Sequence, residues 1–306
     1  MRKRIGKRCE NPEGRSVNAF RPYETNATGK RTKAGRDLKH TGKQLELTPR
    51  LQLLADWTPD GASFADIGAD HAFLPVWLLL RGRTRRCIAS DLRPGPLRRA
   101  RETAQLWNVS GISFRLCDGL SGIGPDEADV IAIAGLGGEN IAAILSKAPW
   151  TKDGRHTLLL QPMTRAETLR RFLSENGYAI RREALARERD ILYPVMEVAG
   201  GEMRLTAGQC YGGAKLLYDP LGDRYLIEKI LRLQNALAGL NRGARSATRR
   251  DNAYQETASA TDSAANPEKA SALRDANQEK AEELRDILTE LYAMREEWRH
   301  ANRPGN

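Results

Sequence analysis

The chain has 306 residues with 49 Lys+Arg against 39 Asp+Glu, a formal net charge of +10, and is 40% apolar and 29% charged. That length allows a buried core plus an appendage, and apolar segments with clear periodicity exclude wholesale disorder. The apolar run Phe73–Leu80 is too short to span a bilayer, and the charged start MRKRIGKRCENPEGR does not read as a secretory signal. Cys9, Cys87, Cys117 and Cys210 are scattered, without C-x-x-C or zinc spacing. Reduced thiols, no metal and a cytoplasmic location are therefore expected.

In chain order, the positive excess comes first. Residues 1–44 hold 13 Lys+Arg and 4 Asp+Glu, a net of +9, which leaves 36 against 35 for the rest. This arm has no apolar period and is expected to be disordered. It reads either as an electrostatic tether for RNA or DNA or as a solvated tail.

Periodic structure begins near Leu45. Leu47, Leu51 and Leu54 share one face of a short helix, with Thr48 as a possible cap. An alternation follows: strand 62–67, helix 71–81, strand 86–90, helix 96–108, strands 112–116 and 129–134, helix 138–147, strand 157–161, helix 165–176, and a closing strand pair, YAIRREAL and ILYPVMEV. Strands separated by helices of about ten residues imply a doubly wound, mostly parallel α/β sheet over residues 45–205. From 206 to 306 the pattern changes. Leu226, Ile230, Leu233, Leu237 and Leu240 form one seam, and Leu284, Ile287, Leu291, Met294 and Trp298 another, each with steps of three and four. A coiled-coil helical hairpin with a flexible polar loop near 243–270 is the economical reading, and two separate dimerising helices the alternative.

In an open parallel sheet, ligands bind beyond the carboxyl ends of the strands. After the first strand, Asp66-Ile67-Gly68-Ala69-Asp70-His71 offers one Gly for a sharp turn and two carboxylates, in place of G-x-G-x-x-G. Carboxylates suit a cationic ligand end, an ammonium or a sulfonium, better than a pyrophosphate. Asp70 also reads as a cap for the next helix. Asp91 ends the second strand, placed to accept from ribose hydroxyls, or else to cap its helix. Cys117-Asp118-Gly119 ends the third, with an acid for an adenine amine or simply a turn. The fourth ends in Gly135-Leu136-Gly137-Gly138, and the fifth in Gln161-Pro162-Met163. Acids at three successive strand ends without a phosphate loop look like the S-adenosylmethionine (SAM) site of class I methyltransferases.

ADIGADHAFLPVWLL, IASDLRPGPLRRA, RLCDGLSGI, IAIAGLGGENIAAIL and LLLQPM resemble the bacterial tRNA adenine-22 N1-methyltransferases (TrmK). The resemblance covers roughly residues 45–240. It implies a class I methyltransferase domain followed by a coiled-coil domain, SAM as methyl donor, and N1 of an adenine in the tRNA D-arm as acceptor. It implies that Asp66, Gly68, Asp70 and His71 line the methionine end of SAM, that Asp91 holds the ribose, and that Asp118 with Gly119 holds the cofactor adenine, with the Gly135 turn alongside. Leu136, Ala69 and Phe73 depart from the residues usual in the family. Because an adenine N1 lies on the Watson–Crick edge, the base must be extruded or already unstacked. Asp70 is then expected to stabilise the cationic product, His71 to orient the base, Gly137 with Gly138 to let it slide against the backbone, and Gln161 to donate to it. A monomer that binds tRNA but neither metal nor membrane is expected. Methylation of another RNA or a small molecule, a nicotinamide-dependent dehydrogenase and a non-catalytic RNA-binding module are the alternatives.

Overall fold

The computed structural model describes residues 44–257 and 267–303. The basic arm lies outside them, apart from Gln44. Seven strands form one sheet: β1 (Phe64–Ile67), β2 (Cys87–Asp91), β3 (Ile112–Leu116), β4 (Val130–Gly137), β5 (Thr157–Thr164), β6 (Tyr178–Glu188) and β7 (Ile191–Gly200), in the order β3-β2-β1-β4-β5-β7-β6. The first five are parallel. β7 returns antiparallel to β5, and β6 pairs antiparallel with β7. Helices α1 (Pro49–Trp57), α2 (Phe73–Leu80), α3 (Pro94–Leu106), α4 (Gly138–Ser146) and α5 (Ala166–Glu175) cover its faces. This is the doubly wound, mostly parallel α/β fold that the alternation of elements predicts.

The period of two decides which residue meets which layer. Ile131, Ile133, Leu158, Leu160, Met196 and Val198 bury against Ile141 and Leu145 of α4 and Leu169 and Leu173 of α5. Their neighbours Val130, Ala132, Leu159 and Val195 point the other way, onto Leu54 of α1 and Leu74 and Leu78 of α2. β4 is buried on both faces, as its unbroken apolar run requires.

Three boundaries differ from the sequence reading. α2 starts at Phe73, two residues late, because Asp70 and Ala72 adopt left-handed backbone (φ 39° and 52°). Asp70 therefore does not cap α2; the N-cap is Ala72, without a side-chain bond. α3 starts early, at Pro94, since proline suits the first helical turn. β4 and β5 run three residues past their predicted ends, through register shifts around Leu136.

Beyond the sheet come α6 (Ala207–Gly212), α7 (Gly222–Thr257) and α8 (Pro267–Ala301). α6 starts with a capping box between Thr206 and Gln209. All ten residues of the two predicted seams meet in one apolar cluster between α7 and α8. The polar loop expected near 243–270 is mostly helix: α7 continues to Thr257, α8 begins at Pro267, and only 258–266 fall outside the described residues. Alanine, arginine and glutamate favour helix without needing a buried stripe.

A buried ion pair ties this helical arm to the sheet. The Arg170 side chain (α5) and that of Glu183 (β6) are both fully buried. Arg170 donates from Nε to Glu183 Oε1 (2.7 Å) and from Nη1 to the Cys210 carbonyl (2.8 Å). The other Glu183 oxygen accepts from the backbone N–H groups of Ala214 (2.5 Å) and Lys215 (2.9 Å) in the α6–α7 linker.

Candidate active site

The strand order reverses between β1, which continues to β2, and β4, which continues to β5. At the carboxyl ends of β1 and β4 a cavity of ≈ 400 Å³ opens, as such a switch point favours. Its walls include Asp66, Gly68, Asp70, His71, Asp91 and Gly135.

The turn after β1 is what local geometry allows this sequence to build. Gly68 (φ 75°), Asp70 and Ala72 all have positive φ within five residues, a concentration typical of sites where backbone wraps a ligand. The Ser90 carbonyl at the end of β2 accepts from the N–H groups of Gly68 and Ala69, both at 2.9 Å, and so fixes the turn. Asp66 is only 7% exposed, and among the described residues its carboxylate has no hydrogen-bond partner. Burial, and then the nearby Asp91 charge, push its pKa up to about 7. Asp91 takes the Arg93 N–H on Oδ1 (2.9 Å), and its Oδ2 has no partner among the described residues. Asp70 is held by the Arg99 guanidinium (Nε at 3.0 Å), and His71 Nε2 lies 3.9 Å from its other oxygen. The His71 and Phe73 rings stack at 5.2 Å, 6° from parallel. Phe73 is exposed and also lines the cavity.

The remaining predicted residues are placed differently. Asp118 ends the third strand on the same sheet edge but is not in the cavity wall; its Oδ2 pairs with Lys147 Nζ (2.7 Å). Gly119 faces Ile144. Gly137 is the N-cap of α4. A Cβ on Gly138 would fall 2.1 Å from the Arg165 carbonyl oxygen, so that glycine lets α4 pass a turn rather than letting a base slide. Gln161 is fully buried. Its Oε1 accepts from the Gly135 N–H (3.1 Å) and from Arg50 Nη1 (3.0 Å), and its Nε2 donates to the Pro162 carbonyl (3.0 Å). It positions the wall and is not poised to reach a substrate base.

The residue missed in the sequence is Arg50. It enters the cavity from α1, with Nε 3.2 Å from Glu188 at the end of β6 and Nη1 on Gln161. Among the described residues its Nη2 has no partner. One arginine inside an apolar helix was the available signal, but the partners that aim it lie 111 and 138 residues away.

The cavity thus combines buried, partly unpartnered carboxylates from two adjacent strand ends with a guanidinium across the opening. This donor set fits a ligand that carries an ammonium, a carboxylate and ribose hydroxyls at once. Fold and site together define a class I SAM-dependent methyltransferase. A family model described as a methyltransferase domain matches residues 47–196. The chain belongs to the family of bacterial tRNA (adenine-22-N1)-methyltransferases. It is 32% identical over 231 residues to the tRNA (adenine(22)-N(1))-methyltransferase of Bacillus subtilis, covering 75% of this chain and 93% of that one. Among solved structures, the B. subtilis M1A22 tRNA methyltransferase TrmK is similar with a TM-score of 0.63 at 27% identity, over 80% of this chain and all of that one. The Streptococcus pneumoniae putative tRNA (m1A22) methyltransferase Sp1610 in complex with S-adenosyl-L-methionine gives 0.61 at 26%, over 79% of this chain and 100% of that one. No described helix is long and apolar enough to cross a membrane, and among the described residues no group of His, Cys, Asp and Glu could hold a metal.

Proposed function

We propose that the chain methylates N1 of adenine 22 in tRNA, using SAM bound in the cavity between β1 and β4. The observation that carries this reading is the pair Asp66 and Asp91, whose carboxylates line one cavity with oxygens left unpartnered by the protein. Asp66, buried and poised to ionise, takes the cofactor's ammonium. Arg50 takes its carboxylate through Nη2. Asp91 accepts from the ribose through Oδ2. Asp118 keeps Oδ1 free at the third strand end and takes the cofactor's adenine there, with Gly119 as its neighbour.

Bound SAM supplies a methyl group on a cationic sulfur, and its transfer to the N1 lone pair needs no prior deprotonation. The protein's tasks are therefore alignment and tolerance of a positive charge that ends on the adenine. Asp70, on the rim and restrained by Arg99, supplies the nearby negative charge. His71 and Phe73 present a stacked ring face at the mouth, against which an extruded base can lie. No general base is assigned.

The test is incubation of the full chain with labelled SAM and unmodified tRNA, followed by nuclease mapping and mass spectrometry. Label at N1 of adenine 22, absent when that position carries guanine, is the expected result. Label at another nucleotide, or none, overturns the assignment.

A further inference from the structure

A second cavity, of ≈ 270 Å³, lies between the start of β6, the segment 201–206 that follows β7, and the α6–α7 linker. Arg181, Arg204 and Lys215 line it, with one acid, Glu202. Among the described residues, the side chains of Arg204 and Lys215 make no hydrogen bond or ion pair. Arg181 makes only one long bond, from Nη2 to the Gly200 carbonyl (3.3 Å). Some other exposed arginines pair with carboxylates, as Arg182 does with Glu197 and Arg155 with Asp153 and Asp126; here three cations face one concavity instead. Three cations around one concavity, none neutralised, mark a place that wants an anion.

The backbone beneath each cation is fixed by a separate device. Arg181 sits at a β-bulge: Ile180 pairs with Val198 and Arg182 with Glu197, which leaves Arg181 as the extra residue. A bulge re-aims its side chain. Arg204 lies between two residues that share one hydroxyl, since Ser174 donates to the Met203 carbonyl and accepts from the Leu205 N–H, both at 3.1 Å. Lys215 donates its own backbone N–H to buried Glu183. Gln209, also in the wall, spends its side-chain oxygen on the capping box, so its NH2 is the group it offers to a ligand. Cations on restrained backbone lose less freedom on binding than cations on loose segments.

We infer that this cavity binds a phosphate group of the RNA backbone, as a positioning contact away from the chemistry. The inference rests on the reading that tRNA is the substrate. Glu188, the partner of Arg50, lies seven residue steps along β6 from Arg181, which puts the two cavities roughly 23 Å apart along the strand at about 3.3 Å per residue. A base extruded into the first cavity belongs to a polymer with phosphates within that reach. Contacts to phosphate set register and orientation without reading sequence.

The experiment uses the full chain with Arg204→Ala and Lys215→Ala combined, and a charge-preserving Arg204→Lys, Lys215→Arg protein as the control for folding. tRNA binding is measured across a salt series. Each neutralised phosphate contributes about 0.7–0.9 to the log–log salt slope, so loss of this one phosphate site should make the slope of the alanine protein shallower by roughly 0.7–0.9. KM for tRNA rises about tenfold at moderate salt, on the order expected for lost phosphate contacts, while kcat at saturating tRNA and SAM affinity stay at wild-type values. The control retains the wild-type slope. An unchanged slope and KM in the alanine protein overturns the inference. So does saturable binding of inorganic phosphate that the alanine protein loses while its tRNA slope stays the same, because the cavity then serves a free anion. If the wild-type chain binds no tRNA at all, the substrate reading fails and this inference fails with it. A wild type that methylates tRNA beside an unaltered variant sinks this inference alone.

Discussion

Two regions of this molecule bury carboxylates, and they treat them in opposite ways. Glu183 is surrounded: Arg170 takes one oxygen and two backbone N–H groups take the other. Asp66 is nearly as buried but has no partner among the described residues, and its neighbour Asp91 repels it. A satisfied buried charge holds architecture, here the junction between sheet and helical arm. An unsatisfied one costs stability and is retained where a ligand completes it. The contrast distinguishes a carboxylate held by the fold from one left open to a cavity.

The largest effect should come from breaking the satisfied region. Arg170→Met leaves Glu183 buried and uncompensated, and should lower the unfolding free energy by about 3–5 kcal/mol. Adding Glu183→Leu should recover only part of that loss: a hydrophobic pair has no charge to desolvate, but the Ala214 and Lys215 N–H groups lose their acceptor. Denaturant unfolding of the single and double variants checks both, and a single variant as stable as wild type would break the comparison.

The unsatisfied region should respond with the opposite sign. Since the folded-state pKa of Asp66 lies above its unfolded value, the folded chain holds a proton that the unfolded chain has lost. That contribution to stability is fully present below the ordinary carboxylate range and disappears as pH rises to about 7. Asp66→Asn should therefore stabilise the cofactor-free protein above pH 7 while weakening SAM binding. In the wild type a cationic group beside Asp66 favours the ionised form. SAM affinity should thus climb about tenfold from pH 6 to 8, on the order of one proton released per ligand, and the asparagine protein should lack that climb.

Arg50→Ala should then weaken SAM binding by about 1.5–3 kcal/mol, the range for hydrogen bonds to a charged group, with kcat at saturating SAM less affected. The smallest effect belongs to Gln161→Ala, which leaves Arg50 in place but unaimed. A loss of about 1 kcal/mol in SAM affinity, the net worth of one hydrogen bond, is expected in calorimetry. A loss as large as that of Arg50→Ala would mean that Gln161 touches the ligand itself.

The same contrast explains what the sequence made legible. Strands and seams announce themselves through local period. Val130 to Ile133 and the steps from Leu226 to Leu240 are readable because each residue's burial depends on neighbours two to four positions away. That Asp66 and Asp91 stand beside one cavity was legible because both lie at carboxyl ends of neighbouring strands. Arg50 was not, because α1 carries it while β5 and β6 aim it. The sequence shows the place of Gln161 in β5 but not its four hydrogen bonds, which reach as far as Arg50 and Gly135. The left-handed turn that delays α2 and the bulges that lengthen β4 likewise depend on partners distant in sequence. The Ala-rich end of α7 went unread because it has propensity without a seam.

The most direct test is titration of SAM into the wild-type and Asp91→Ala proteins, with the melting temperature of each measured alongside. One molecule of SAM should bind per wild-type chain, and the variant should bind at least about tenfold more weakly, the effect of a lost charge-assisted hydrogen bond, while melting within a few degrees of wild type. A variant that melts normally and binds SAM as tightly as the wild type would contradict the assignment of this cavity.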